Sequence, residues 1–237
     1  MPRVVSKVFN LQVVFEDNHI IVVNKRPGDI VQADKTQDIP LSEIVKEFLK
    51  KKYNKPGNVF LGVTHRLDRP TSGIVIFAKT SKALTRINAM FKNKSIKKEY
   101  WALVHHTPKK PNDTLINWLV KNPRNNTTKV YDKEIPGSKL AILHYKLKEK
   151  LNNYTLLEIN LETGRSHQIR SQLSHINCPI KGDLKYGAKR SNLNGGIHLH
   201  AKTVIFEHPV SKETLHLQAP LPYDPLWNKC FQNITKS

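Results

Sequence analysis

Apolar positions along the chain switch between a period of two and a helical period, and these switches lay out the elements before any residue is given a role. Val13-Val14-Phe15 and Ile20-Ile21-Val22-Val23 flank Glu16-Asp17-Asn18, which predicts two short strands joined by a turn. Leu41, Ile44, Val45, Phe48 and Leu49 fall at offsets of 0, 3, 4, 7 and 8, the apolar face of a helix over about 41–52. A second helix is predicted after Ser81, read as its N-cap, with Leu84, Ile87 and Phe91 inward. Between the helices, Ile74-Val75-Ile76-Phe77-Ala78 is a continuous apolar run and predicts a buried strand.

From Tyr100 on, the pattern turns mainly to strands, over 100–104, 140–147, 154–161, 203–206 and 214–217. The clearest has Leu157, Ile159 and Leu161 alternating with Glu158, Asn160 and Glu162, and it stops at Thr163-Gly164. Short helices are predicted over 166–175 and, as a cap, 226–231, while 122–136 reads as an exposed polar insertion. No repeat and no long Gly/Ser or Pro-rich stretch divides the chain. The expectation is an N-terminal extension over 1–11 and one α+β domain over 12–237, built on a mixed, largely antiparallel central sheet with flanking helices.

Composition changes the picture by pointing at a partner. The 237 residues include 39 Lys plus Arg against 19 Asp plus Glu, a formal charge of +20, and 38% hydrophobic residues suffice for a core. Nine basic residues between Lys79 and Lys110 face one acid, Glu99, and further groups lie at 50–52, 121–133 and 181–190. Such one-sided charge calls for a polyanion, and nucleic acid is favoured. A membrane is disfavoured, because the chain has no prenylation box and no apolar run of about 18 residues. Only Cys178 and Cys230 are present and the N-terminus lacks a signal-peptide apolar stretch, so a reducing, cytoplasmic setting is expected.

The stretch richest in chemistry is Thr64-His65-Arg66-Leu67-Asp68-Arg69-Pro70-Thr71-Ser72-Gly73, running into the apolar run. A carboxylate between Arg66 and Arg69 is favoured in its charged form, as an acceptor or nucleophile. Pro70 disfavours a helical Arg69, and Gly73 permits an unusual turn before the strand. An isolated Arg-Leu-Asp would more often be a surface ion network. The longer string, however, closely resembles the catalytic signature of the RluA-type pseudouridine synthase family, His-Arg-Leu-Asp, two variable residues, Thr-Ser-Gly. Two further stretches are similar to that family's second and third motifs: Lys98-Glu99-Tyr100-Trp101-Ala102-Leu103-Val104, and Thr163-Gly164-Arg165-Ser166-His167-Gln168-Ile169-Arg170 continued by Pro179-Ile180-Lys181-Gly182-Asp183 and Tyr186-Gly187. Asn24-Lys25-Arg26-Pro27-Gly28 resembles the segment opening the catalytic domain, with Arg26 inserted where Lys-Pro is usual.

The resemblance, which spans about 12–220, implies the pseudouridine synthase fold without the N-terminal accessory RNA-binding domain. It implies isomerisation of a uridine in structured rRNA or tRNA, with no cofactor and no metal, by a monomer that needs no obligatory protein partner. Asp68 is then the catalytic carboxylate and Tyr100 the base-stacking residue. Arg170 is the first choice for the cation paired with Asp68, and Arg165 the alternative. His65, Arg66, Arg165, Gln168 and Ile169 are implied in substrate binding, Ile169 as the base's apolar neighbour. Gln172 stands where relatives often have histidine, and Asn177 where they often have glycine. Outside these motifs, His198-Leu199-His200 is poor metal-ligand spacing, and Trp101, Trp118 and Trp227 are expected in packing. The rival class is a basic RNA-binding module that keeps the fold without the chemistry.

Overall fold

The computed structural model describes residues 4–235, so residues 1–3 of the expected extension and residues 236–237 lie outside it. The chain divides into two compact units: the residues up to Lys97 with Leu193–Gly195 and Ala201–Pro222, and Lys98–Asn192 with Gly196–His200 and the residues from Tyr223 on. The strands form the mixed, largely antiparallel arrangement expected, with four α-helices among the described residues, an α+β fold.

In the first unit, β1 (Val13–Glu16) and β2 (Ile20–Lys25) are an antiparallel hairpin. Its turn is set by Asp17 Oδ1, which accepts the backbone N–H groups of His19 and Ile20 at 2.8 and 2.7 Å. All of β2 is buried, and the period of two explains its unbroken apolar run. Ile21 and Val23 pack with Leu41, Val45 and Leu49 of α1 (Leu41–Lys52). Ile20 and Val22 pack instead with Ala83 and Ile87 of α2 (Ser81–Lys92), so each face of the strand is claimed by a different helix. The short β3 (Gly62–Val63) and β2 both pair antiparallel with β4 (Ser72–Ala78), the buried strand expected at 74–78. One correction applies to α2. Its N-cap is Thr80, in extended conformation, whose hydroxyl accepts the Ala83 N–H at 3.1 Å, and Ser81 is already helical.

In the second unit, β5 (Lys97–Val104), β6 (Asn112–Asn122), β7 (Thr127–Tyr131), β8 (Lys139–Lys150) and β9 (Thr155–Leu161) are ordered β5-β9-β8-β6-β7. The expected polar insertion at 122–136 is corrected: its first half closes a β-hairpin in which Trp118 faces Tyr131 and Asn122 faces Thr127. After β9 the chain forms α3 (Gln168–His175). Strand β10 (Leu199–Glu207) begins in this unit and continues in the first, where it neighbours β4 and forms a hairpin with β11 (Thr214–Gln218). Helix α4 (Pro225–Thr235) is longer than the expected 226–231 and buries Trp227 and Cys230.

Gly73 lies within β4, and its expected role is sharpened by the approach of β10. Its φ is +115°, and a Cβ there would stand 2.3 Å from the carbonyl oxygen of Ala201 and 2.5 Å from its nitrogen. Gly73→Ala is therefore expected to cost about 3 kcal/mol or more of stability, read from the urea midpoint. Glu16 supplies a second test. Its carboxylate accepts from Lys52 Nζ and the Tyr53 hydroxyl, both at 2.7 Å, and Lys79 Nζ at 2.8 Å. Burial alone would raise its pKa, but these donors outweigh burial and hold it at about 2. A depressed folded pKa gives stabilisation that is complete above the ordinary value of 4.5 and is lost as the pH falls toward about 2. Stability of the wild type should fall across that window more steeply than that of Glu16→Gln, followed by denaturant titration at each pH.

Candidate active site

The loop carrying Asp68 is attached to β4 at both its ends. Ahead of it, the Thr64 hydroxyl donates to the Ile76 carbonyl at 2.7 Å and His65 Nε2 accepts the Ile76 N–H at 3.0 Å. That acceptor role leaves His65 Nε2 unprotonated, with the ring 4.9 Å from Phe91. Leu67 packs against the core beneath α1. Behind it, the Thr71 N–H donates to the Asp68 carbonyl at 3.0 Å, closing a turn through Arg69 and Pro70. Asp68 is half-buried and Arg66 exposed. The Arg69 guanidinium reaches Asp38 and the Thr36 hydroxyl.

The Lys25-Arg26-Pro27-Gly28 segment clamps this loop. Lys25 is 1% exposed, and its Nζ donates to the carbonyls of Arg26 and Arg69 at 3.0 Å and of Thr71 at 2.6 Å. The Gly28 N–H adds a 2.8 Å bond to the same Arg69 carbonyl. Asp29 fixes the turn by accepting from Ser6 N and Oγ, at 2.9 and 2.6 Å, and from the Arg26 N–H at 3.2 Å. The inserted Arg26 is accommodated by turning its guanidinium to the Asn10 carbonyl, 3.0 Å away.

The other candidate residues lie in the second unit. Tyr100 is on β5 opposite Ile159, 7% exposed. Arg165, exposed, donates Nε to the Leu140 carbonyl at 2.9 Å. Gln168 braces the turn into α3: its Oε1 accepts the Arg165 N–H at 2.9 Å and the Thr163 hydroxyl at 2.8 Å, and its Nε2 donates to the Ile142 carbonyl at 3.0 Å. Ile169 is buried beside it on α3.

Arg170 is held by groups to which the sequence reading gave no role. Its Nε and Nη2 donate to the two carboxylate oxygens of Asp183 at 2.7 and 2.9 Å, a buried bidentate pair. Its guanidinium carbon lies 5.0 Å from the Tyr186 ring centroid. The Tyr186 hydroxyl, itself carrying one proton, accepts the Thr128 N–H at 2.8 Å and is hydrogen-bonded to His167 Nδ1, 2.7 Å away. Burial raises the Tyr186 phenol pKa, keeping that proton in place. Asp183 and Tyr186 were visible as parts of the third motif; their roles needed the geometry. The two departures from the family pattern also find uses. Gln172, fully buried, donates to Asn117 Oδ1 at 2.8 Å, tying α3 to β6. Asn177 has φ +60° just past α3, a conformation that asparagine shares with glycine.

Among the described residues, no group of three or more His, Cys, Asp or Glu side chains is placed to hold a metal ion. Among the same residues, no helix is long and apolar enough to cross a membrane.

The clamp is testable by stability. Lys25→Met keeps the aliphatic stem but leaves three carbonyls without this donor, and is expected to cost about 3 kcal/mol or more in urea denaturation.

Comparison with known proteins adds independent findings. Residues 19–175 match the family model described as RNA pseudouridylate synthase. The chain is 34% identical over 226 residues to the ribosomal large subunit pseudouridine synthase C of Buchnera aphidicola subsp. Baizongia pistaciae, covering 92% of this chain and 69% of that one. It is 34% identical over 242 residues to the ribosomal large subunit pseudouridine synthase D of Vibrio cholerae, covering 90% and 68%. Its fold is similar to that of the human RNA pseudouridylate synthase domain containing 4 protein, with a TM-score of 0.77 at 20% identity over 94% of this chain and 93% of that one. With the three motifs in order and their loops built as above, this chain belongs to the RNA pseudouridylate synthase family, isomerases of uridine in RNA.

Proposed function

We propose that this protein isomerises a uridine of ribosomal RNA to pseudouridine, with Asp68 as the catalytic carboxylate and residues 12–237 serving as one catalytic domain. The observation that carries the reading is the clamped loop: Asp68 stands on a short turn whose neighbours Thr64, His65, Arg69 and Thr71 are all bonded to buried backbone or to Lys25. Ribosomal RNA is chosen over transfer RNA because the relatives' names specify the large ribosomal subunit.

The reaction breaks the bond from ribose C1′ to uracil N1, turns the base, and joins C1′ to C5. It consumes no electron donor and adds no group. A carboxylate serves it either as nucleophile, toward C1′ or the pyrimidine ring, or as base at C2′ to form a glycal. Each route needs a fixed carboxylate near a cation, for which Arg170, oriented by Asp183 and Tyr186, is proposed, with Arg165 as the alternative.

The uridine must first leave its stack, at a cost of a few kcal/mol that stacking on Tyr100 would offset in part. Ile169 is proposed as the base's apolar neighbour and the exposed Arg66 as a phosphate contact or filler of the vacated stack. His65 and Gln168 contribute to substrate binding by fixing their loops. The protein acts in this reading as a cytoplasmic monomer without a cofactor.

Asp68→Ala is expected to abolish pseudouridine formation while leaving RNA affinity within a few fold. Wild-type product levels in that variant would reject the catalytic role. Tyr100→Phe should keep stacking and most activity, measured as kcat on an rRNA transcript, whereas a large kcat loss would give the hydroxyl its own task. Mapping pseudouridines in rRNA and tRNA from cells with and without the gene should show the missing site in rRNA.

A further inference from the structure

The second unit gathers cationic and imidazole groups at a place to which no catalytic role has been assigned. The end of β5 runs antiparallel to residues 179–181: the His105 N–H donates to the Pro179 carbonyl at 3.0 Å, and the Lys181 N–H to the Leu103 carbonyl at 2.9 Å. That pairing brings His105 and Lys181 together around Tyr154. The His105 ring centroid is 5.1 Å and Lys181 Nζ 5.8 Å from the Tyr154 ring, and the His106 ring lies 6.5 Å from that of His105.

Burial, followed by the fields of His106, Lys181, Lys189 and His198, lowers the pKa of His105, so Lys189 belongs to the same electrostatic neighbourhood. Nearby acid is already engaged: Asp224, which acts on Lys181, is 3.1 Å from His198 Nε2. The buried Nε2 of His105 has no hydrogen-bond partner among the described residues. Lys181 and Lys189 bring positive charge to this partly buried site, and an anion docked there offsets it.

We propose that His105 and Lys181, set against Tyr154, together with the exposed His106 and Lys189, form a docking site for a phosphate of the RNA backbone, separate from the residues assigned to catalysis. The identification of the phosphate as RNA's rests on the proposed function. Lys181 is held in place for the task by Asn192 Oδ1, while Asn192 Nδ2 bonds the Gly196 carbonyl at 2.9 Å and His198 Nδ1 at 3.0 Å. His106 and Lys189 are exposed and so can be changed without disturbing a core.

The test has two arms. In the first, inorganic phosphate is titrated into the whole protein while the histidine ring resonances are followed by NMR. Saturable shifts at His105 and His106, weakened several-fold in Lys189→Gln, are expected. In the second, affinity for an rRNA transcript is measured against salt. Lys189→Gln should lower the slope of log K against log salt by about one and raise KM while sparing kcat. Unchanged slope and KM in Lys189→Gln overturn the proposal, including the case in which inorganic phosphate still binds, which would leave a free-anion site only. A wild type that docks RNA through this patch, with the expected loss of slope, yet forms no pseudouridine would support the site and reject the proposed activity instead.

Discussion

Lys25 holds an ammonium group inside the protein, where only fixed dipoles can replace its water. Removing an ion from water carries a penalty of several kcal/mol unless its donors are satisfied, and here three carbonyls take them. Those acceptors come from Arg26, beside Lys25, and from Arg69 and Thr71, more than forty positions along the chain. They meet at one point only when the turn after β2 and the loop after Asp68 are folded together. The charge thus makes the geometry of the Asp68 loop part of the stability of the unit. The hydrogen bonds of Thr64 and His65 to Ile76, and the close passage of Ala201 against Gly73, then fix the strand on which the loop is mounted.

The second unit uses the same principle with a different charge. Arg170 is buried, and its guanidinium is fixed by the Asp183 carboxylate below a few per cent exposure and by the Tyr186 ring. The Tyr186 hydroxyl extends that arrangement to β7 through Thr128 and to His167, whose φ of +53° places it at the start of α3. A cation needed for chemistry is best held by groups that cannot rearrange when substrate arrives, because reorganisation at the moment of reaction would be subtracted from the stabilisation it gives. Bidentate pairing and ring stacking meet that requirement in a way that a single flexible ion pair does not.

What could be read from the sequence depended on whether one residue's pattern carried the information alone. The α1 face was legible because Leu41, Val45 and Leu49 repeat at helical spacing and are the residues that the core buries. The 74–78 part of β4 was legible because both its faces are buried, leaving no polar interruption. The β6–β7 hairpin was not, because its register rests on pairings such as Leu119 with Val130, and its turn end is made of Lys, Asn and Thr, residue types that read as loop. Among the candidate residues, Asp68, Tyr100 and Arg170 were named from motif resemblance. The partners Asp183 and Tyr186, and the clamp at Lys25, depend on contacts between segments distant in sequence, which no local spacing encodes.

In the proposed reaction the positive charge and the Asp68 loop act at different stages, the first in holding RNA and the second in rearranging one base. Isomerisation replaces the hydrogen on uracil C5 by the bond to C1′, so it can be followed without any assumption about the route that Asp68 takes. The most direct measurement is release of tritium to water from rRNA transcribed with uridine labelled at C5. Release by the wild type is expected in the presence of a chelator and without added cofactor, approaching a fixed stoichiometry per RNA. Tight RNA binding with no tritium release would contradict the proposed reaction.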